Sequence, residues 1–83
     1  MKNKILIIIY VPAVSEEFEM FISVNITVKK LISQVMKSIN DVLDNVLIEN
    51  NYCLIDPSNS SIYSYNDIIR DTNICNNKRI ILI

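Results

Sequence analysis

The segment FEMFISVNITVKKLISQVMKSINDVL, residues 18–43, decides the fold because its hydrophobic period changes once along its length. Up to Val24, apolar side chains on an inner face alternate with the other side chains. This period of two residues is typical of a β-strand with one buried face. From Val28 onward, apolar residues recur every three or four positions, as on one face of an α-helix. That face comprises Val28, Leu31, Ile32, Val35, Met36, Ile39, Val42 and Leu43. The segment therefore predicts a strand followed by a long amphipathic helix.

The start of the helix is marked by two local signals. Thr27 lies at the N-cap position, where its hydroxyl can accept a hydrogen bond from an amide of the first turn. Ile26 and Leu31 flank it at the spacing of a hydrophobic staple. The opposite face of the helix is polar and consists of Lys29, Lys30, Ser33, Gln34, Lys37 and Ser38. The sequence does not fix the end of the helix, because Val46 and Leu47 can continue the apolar stripe past Asp44.

A second strand is predicted before this segment. Residues 4–11 form a short, Ile-rich apolar run that ends at Pro12, and such a run favours a strand over a helix. The polar turn over residues 13–17 is short. The run and the strand at residues 18–24 are therefore expected to pair as an antiparallel hairpin.

The chain after the helix predicts shorter elements. Residues 52–55 read as a strand ended by Asp56-Pro57, and Ile62 with Tyr63 as a brief return strand. Residues 65–71 suit a helical turn whose Ile68 and Ile69 point inward. Asn76-Asn77 form the last turn, in which Asn can adopt the left-handed conformation that Gly usually supplies. Residues 78–83 form the closing strand.

The resulting order is β-β-α-β-β-(helical turn)-β within one domain, residues 1–83. This is an α+β arrangement with a mixed sheet of four or five strands and one long helix packed on one face. The order resembles the β-grasp, or ubiquitin-like, fold. The resemblance lies in a hairpin followed by Thr27-Val28-Lys29-Lys30-Leu31-Ile32, in Ile69-Arg70-Asp71-Thr72-Asn73-Ile74, and in Ile80-x-Leu82.

Within that superfamily the chain most resembles the small EsaB/YukD proteins of Gram-positive bacteria. The residues concerned are Tyr10-Val11-Pro12, the strand at 18–24 that leads into the helix, and a closing strand without a tail. The resemblance implies a cytoplasmic, non-catalytic adaptor or regulator that binds a component of a type VII secretion apparatus. A generic β-grasp interaction module, or a fragment of a larger protein, is the alternative.

A conjugated modifier or a sulfur carrier is a third, less favoured reading. Such proteins need a flexible terminal Gly-Gly that enters an activating enzyme, whereas this chain contains no glycine and ends at Ile83 within the closing strand. If that terminus is natural, the sequence predicts neither conjugation nor sulfur transfer.

Composition argues against most chemistry. The chain has no histidine, and 8 basic residues nearly balance 9 acidic ones. Without histidine it lacks the commonest general base and metal ligand, so we expect no enzyme activity, no metal and no cofactor. The scattered basic residues do not form the stripe that nucleic-acid binding requires. The apolar runs are too short for a membrane helix, which needs about 20 residues. Cys53 and Cys75 are expected to be free thiols, although a bridge between them stays open.

The outer face of the sheet is the candidate partner-binding site. If Ile7 and Ile80 face the helix, alternation puts a set of apolar side chains on the other face: Leu6, Ile8, Tyr10, Phe21, Ile81 and Ile83. Apolar patches of this kind usually mark interaction sites. We therefore predict that a protein partner, or a second copy of the chain, covers this face. The alternatives are a different strand phase, or shielding of the patch by long side chains such as Arg79.

Overall fold

The computed structural model describes residues 3–44 and 51–83, and these contain five strands and one α-helix. The strands are β1 (Lys4–Val11), β2 (Glu16–Ser23), β3 (Leu54–Asp56), β4 (Ser61–Ile62) and β5 (Lys78–Leu82). The helix α1 spans Val28–Val42, and a single 3-10 turn spans Ile69–Asp71. The element order is the one that the sequence predicts.

The first hairpin is tighter than predicted. The amide of Val14 donates to the carbonyl of Val11 and that of Ser15 to the carbonyl of Pro12, each at 3.1 Å. This turn brings Glu16 opposite Val11, so β2 begins two residues before the predicted Phe18. Glu16 and Glu17, which the sequence places at the end of the polar turn over residues 13–17, therefore belong to β2.

Helix α1 begins as the sequence predicts. The hydroxyl of Thr27 accepts a hydrogen bond from the amide of Lys30 at 3.1 Å. At the other end, the amide of Leu43 donates to the carbonyl of Ile39 at 2.9 Å. The predicted continuation through Val46 and Leu47 falls outside the described residues.

The sheet has the strand order β2-β1-β5-β3-β4, with β1 and β5 as parallel neighbours near its centre. Every other named pairing is antiparallel. One mixed five-stranded sheet that carries α1 on one face is the β-grasp arrangement.

The core lies between α1 and the inner face of the sheet. Each buried Ile or Leu contributes about 1.5–3 kcal/mol through burial of apolar surface. Within residues 3–44 and 51–83, the buried apolar residues are Ile7, Ile9, Val11, Ile22, Val28, Leu31, Ile32, Val35, Ile39, Leu54, Ile69, Ile74, Ile80 and Leu82. Since the inner positions of β1 and β5 are filled in this way, their alternate residues must lie on the outer face.

Asp56 occupies a different environment from the turn that the sequence predicts. It is the last residue of β3 and is only 1% exposed. Its carboxylate accepts from the amide and hydroxyl of Ser58 at 3.0 and 2.7 Å, and from the amide group of Asn73 at 2.7 Å. The ammonium of Lys78 donates to it at 3.0 Å. One carboxylate therefore joins the turn after β3, the loop before β5 and β5 itself.

The same network fixes the ionisation of its members. Hydrogen bonds from Ser58, then from Asn73 and Lys78, hold the pKa of Asp56 well below its usual range. Burial, followed by the Asp56 charge, raises the pKa of Tyr63 to about 12. The Tyr63 hydroxyl donates to the side-chain oxygen of Asn73, so the phenol stays a hydrogen-bond donor at neutral pH.

Turns in this glycine-free chain use other residues in the left-handed region. Among the residues that the structure describes, φ is positive at Ser15, Asp44, Ser60 and Asn77. Asn77, with φ of 68°, confirms the left-handed Asn expected in the last turn. Cys53 and Cys75 are free thiols.

Ser60→Gly should stabilise the protein by about 0.5–1 kcal/mol, because glycine has no Cβ to strain at positive φ and loses only part of that gain to chain entropy. Ser60 has φ of 61°. Ser61→Gly is the matched control, since Ser61 begins β4 and glycine weakens a strand. Urea unfolding should show a gain for the first variant and a loss for the second. A loss for both would contradict the assignment of strain to Ser60.

Candidate functional site

The outer face of the sheet carries the six side chains that the sequence singles out. Tyr10, Phe21 and Ile83 are exposed there, and Leu6, Ile8 and Ile81 are half-buried. The strand register explains their grouping, since Leu6 lies opposite Phe21 and Tyr10 lies beside Ile81.

The register also adds two residues that the sequence reasoning missed. Ile55 of β3 pairs with Ile81 of β5, and Ile62 of β4 pairs with Ile55. An apolar row therefore crosses four adjacent strands; we call Tyr10, Ile81, Ile55 and Ile62 the outer row. At about 4.8 Å per strand, it extends for about 14 Å. Its last member, Ile62, is 64% exposed.

An ion pair divides the outer face. A guanidinium nitrogen of Arg79 lies 2.5 Å from a carboxylate oxygen of Glu17. Glu17 is opposite Tyr10, whereas Arg79 is opposite Ile8, so the two side chains meet across β1. Arg79 thereby shields part of the patch around Ile8, which is half-buried. The outer row lies on one side of this ion pair, and Leu6 with Phe21 on the other.

Ile83 extends the apolar surface beyond the outer row. Its amide donates to the carbonyl of Cys53 at 2.9 Å, and its carbonyl accepts from the amide of Cys53 at 2.7 Å. The closing residue is therefore paired with the chain that leads into β3. Its exposed side chain lies two positions after Ile81, on the same face.

No three His, Cys, Asp or Glu side chains within residues 3–44 and 51–83 group as metal ligands. An open cleft of about 250 Å³ runs beside α1, where Ile32 and Met36 face Tyr52 and Tyr65. The hydroxyl of Tyr65 donates to the carbonyl of Tyr52 at 2.8 Å, and its contact with Cys53 raises its pKa. These contacts fix the wall of the cleft.

In the part of the chain that the structure describes, no helix is long and apolar enough to cross a membrane. The charged side chains of α1 lie on its exposed side: Lys29, Lys30, Lys37 and Asp41.

Several solved structures with the same fold are ubiquitin-like domains. One is the N-terminal ubiquitin-like domain of the 4931431F19Rik protein, with a TM-score of 0.76 and 17% identity; the match covers 98% of this chain and 74% of that one. No family model and no curated protein matches the sequence. At this identity the likeness shows the fold alone, which is the ubiquitin-like β-grasp.

Two further neighbours are domains of type VII secretion proteins. The EccD5 ubiquitin-like domain from Mycobacterium xenopi has a TM-score of 0.80 and 11% identity, over 98% of this chain and 93% of that one. The ubiquitin-like domain of EccD1 from Mycobacterium tuberculosis has a TM-score of 0.72 and 11% identity, over 96% of this chain and 97% of that one.

Proposed function

We propose that this protein is a cytoplasmic, non-catalytic adaptor or regulator of a bacterial type VII secretion system, and that it binds a component of the apparatus through the outer face of its sheet. The observation that carries the proposal is the outer row, an apolar surface that runs from the central strands β1 and β5 to the edge strand β4 of a ubiquitin-like domain. The resemblance of the sequence to the EsaB/YukD proteins, and the structural likeness of the chain to EccD domains, support the secretion context.

The physical reason for assigning binding to this face is the pairing of its strands. β1 and β5 are parallel, and their sequences are apolar on both faces. Parallel strands are usually covered on both sides. Here α1 covers one side, and a protein partner supplies the second cover. A generic interaction module with no link to secretion uses the same face and is the competing function.

The test is affinity capture from the native bacterial host, with the intact chain as bait and quantitative mass spectrometry as the readout. We expect enrichment of a secretion ATPase or of a membrane component of the apparatus, by at least about tenfold over an Ile62→Glu bait, whereas a Val42→Glu bait should enrich it as the wild type does. Enrichment of unrelated proteins alone would indicate a generic module. A covalent ladder that survives denaturation would indicate a modifier and contradict the proposal.

A further inference from the structure

We propose that the cleft beside α1 is a second binding site. It holds an extended segment of a partner protein that carries one bulky apolar side chain and an acidic residue two positions away. The cleft is built on α1 and therefore lies on the helix side of the sheet, whereas the outer row lies on the opposite side. The site is thus separate from the face that binds the secretion component, and a protein with both sites can hold two partners at once.

The lining of the cleft is mostly apolar and fits one large side chain. Ile32 and Met36 of α1 face Tyr52 and Tyr65 across it. The cleft measures about 250 Å³, which is smaller than the pockets of about 300–1,000 Å³ that enclose whole small molecules. Methionine and tyrosine are enriched where proteins bind one another, because a flexible thioether and an amphipathic ring adapt to an apolar guest. Size and lining therefore favour a single apolar anchor over a cofactor.

One wall of the cleft is held in place before any partner binds. The amide of Lys29 donates to the carbonyl of Tyr65 at 3.0 Å, which ties this segment to the first turn of α1. The hydroxyl of Tyr65 in turn donates to the carbonyl of Tyr52 at 2.8 Å. The two rings of the wall are thus connected to the helix and to each other. A preformed site of this kind loses less conformational entropy on binding.

The charge of the cleft selects an acidic segment. Among the described residues that line it, Lys29 alone is charged, and this exposed lysine takes part in no ion pair with them or with the rest of the described chain. Asp67, whose carbonyl accepts from the amide of Val28, does not line the cleft. Helix α1 itself carries three lysines and one acidic residue, Asp41. A carboxylate beside the apolar anchor is therefore attracted to Lys29, and an ammonium group is repelled.

The length of the cleft sets the spacing of the two groups. Lys29 and Met36 are seven positions apart on α1, which is about 10 Å along the helix. An extended segment advances about 3.3 Å per residue, and side chains two positions apart lie on the same face. A segment whose carboxylate meets Lys29 therefore places its anchor about 7 Å further along, beside Ile32 and Met36.

The experiment uses two peptides of about seven residues with blocked termini and one central phenylalanine. One peptide carries glutamates two positions away on either side of the phenylalanine, and the other carries lysines in their place. Titration of the ¹⁵N-labelled protein should shift the amides of Ser33, Met36 and Tyr52 with the glutamate peptide. We expect that peptide to bind at least about fivefold more tightly, and this preference should shrink between about 0.05 M and about 0.5 M salt.

Two pairs of variants test the charge and the cleft separately. Lys29→Glu should reverse the preference, whereas Lys30→Glu should leave it intact, because it makes the same change of charge about 100° further round the helix. Ser33→Trp should fill the cleft and weaken the glutamate peptide at least about tenfold. Gln34→Trp is its control, since Gln34 is also exposed on α1 but does not line the cleft. Circular dichroism confirms that each variant is folded.

Three results would overturn the proposal: amide shifts away from the cleft, no preference for the glutamate peptide, or equal effects of Lys29→Glu and Lys30→Glu. Phenylacetate that binds as tightly as the glutamate peptide would also overturn it, because the cleft would then be a site for a small ligand.

Ile62→Glu separates the two sites. Ile62 lies on the opposite side of the sheet, so this variant should bind the glutamate peptide as the wild type does. A loss of peptide binding in this variant would place the peptide on the outer face and contradict a site in the cleft. Capture of the secretion component by Ser33→Trp tests the outer face alone, so either site can fail without the other.

Discussion

Asp56→Ala is expected to lower the melting temperature by on the order of 10 °C. The side chain is buried and accepts four hydrogen bonds, one of them from the ammonium of Lys78. Alanine leaves these donors without their acceptor, and removal of one partner from a buried ion pair is strongly destabilising. Because the donors come from three segments, the loss should loosen the turn after β3 and the start of β5 together.

The pH dependence of stability distinguishes the Asp56 charge from its packing. Its native pKa is depressed, whereas the pKa of an unfolded Asp is about 3.9. The stability that Asp56 contributes is therefore present above about pH 4 and is lost as the pH falls through the native pKa. The gap in melting temperature between wild type and the isosteric Asp56→Asn should be constant from about pH 7 to about pH 5 and should narrow towards about pH 2.

Asp67→Ala is the control for this effect. Asp67 is an exposed aspartate of a turn, and substitution at such a surface position should change the melting temperature by no more than about 3 °C. If the difference in melting temperature between wild type and Asp56→Asn stays constant down to about pH 2, a role for the carboxylate charge is contradicted. Equal effects of the Asp56 and Asp67 alanine variants would contradict the network itself.

The sequence predicted the elements whose signals are local. The Ile-rich apolar run of β1, the alternation in β2 and the helical period of α1 each extend over eight or more residues, and this length was enough to separate strand from helix. The Thr27 cap and the left-handed Asn77 depend only on neighbouring residues. The order of these elements, together with the shorter ones predicted after the helix, sufficed to predict the β-grasp.

The features that the sequence missed depend on distant neighbours. Asp56 stands before Pro57 and resembles a turn residue, yet its burial depends on Asn73 and Lys78, which lie 17 and 22 positions away. Ile55 and Ile62 belong to strands of three and two residues, which are too short to show alternation. Only their register with β5 reveals the face they share. The one clue in the sequence is Leu54: if its side chain faces the core, that of the next residue, Ile55, lies on the outer face.

Ile62→Glu is expected to abolish capture of the protein partner, while Val42→Glu leaves it unchanged. The two side chains are similarly exposed, at 64% for Ile62 and 71% for Val42, so neither substitution should affect folding appreciably. They differ in location, since Ile62 ends the outer row on β4 and Val42 ends helix α1. A charge buried against an apolar partner costs several kcal/mol in binding, which corresponds to a loss of at least about 100-fold.

Phe21→Glu tells how much of the outer face the partner covers. Phe21 is 61% exposed and lies beyond the Arg79–Glu17 ion pair from the outer row. If the ion pair marks the rim of the contact, this variant should bind within about fivefold of wild type, because a rim charge has little effect on affinity. A loss equal to that of Ile62→Glu would mean that Arg79 swings aside and the whole face is buried.

Unchanged binding by Ile62→Glu, measured by calorimetry with the purified partner, would contradict binding at this face. Light scattering of the free proteins tests self-association through the same face. In that case the wild type would be dimeric and Ile62→Glu monomeric.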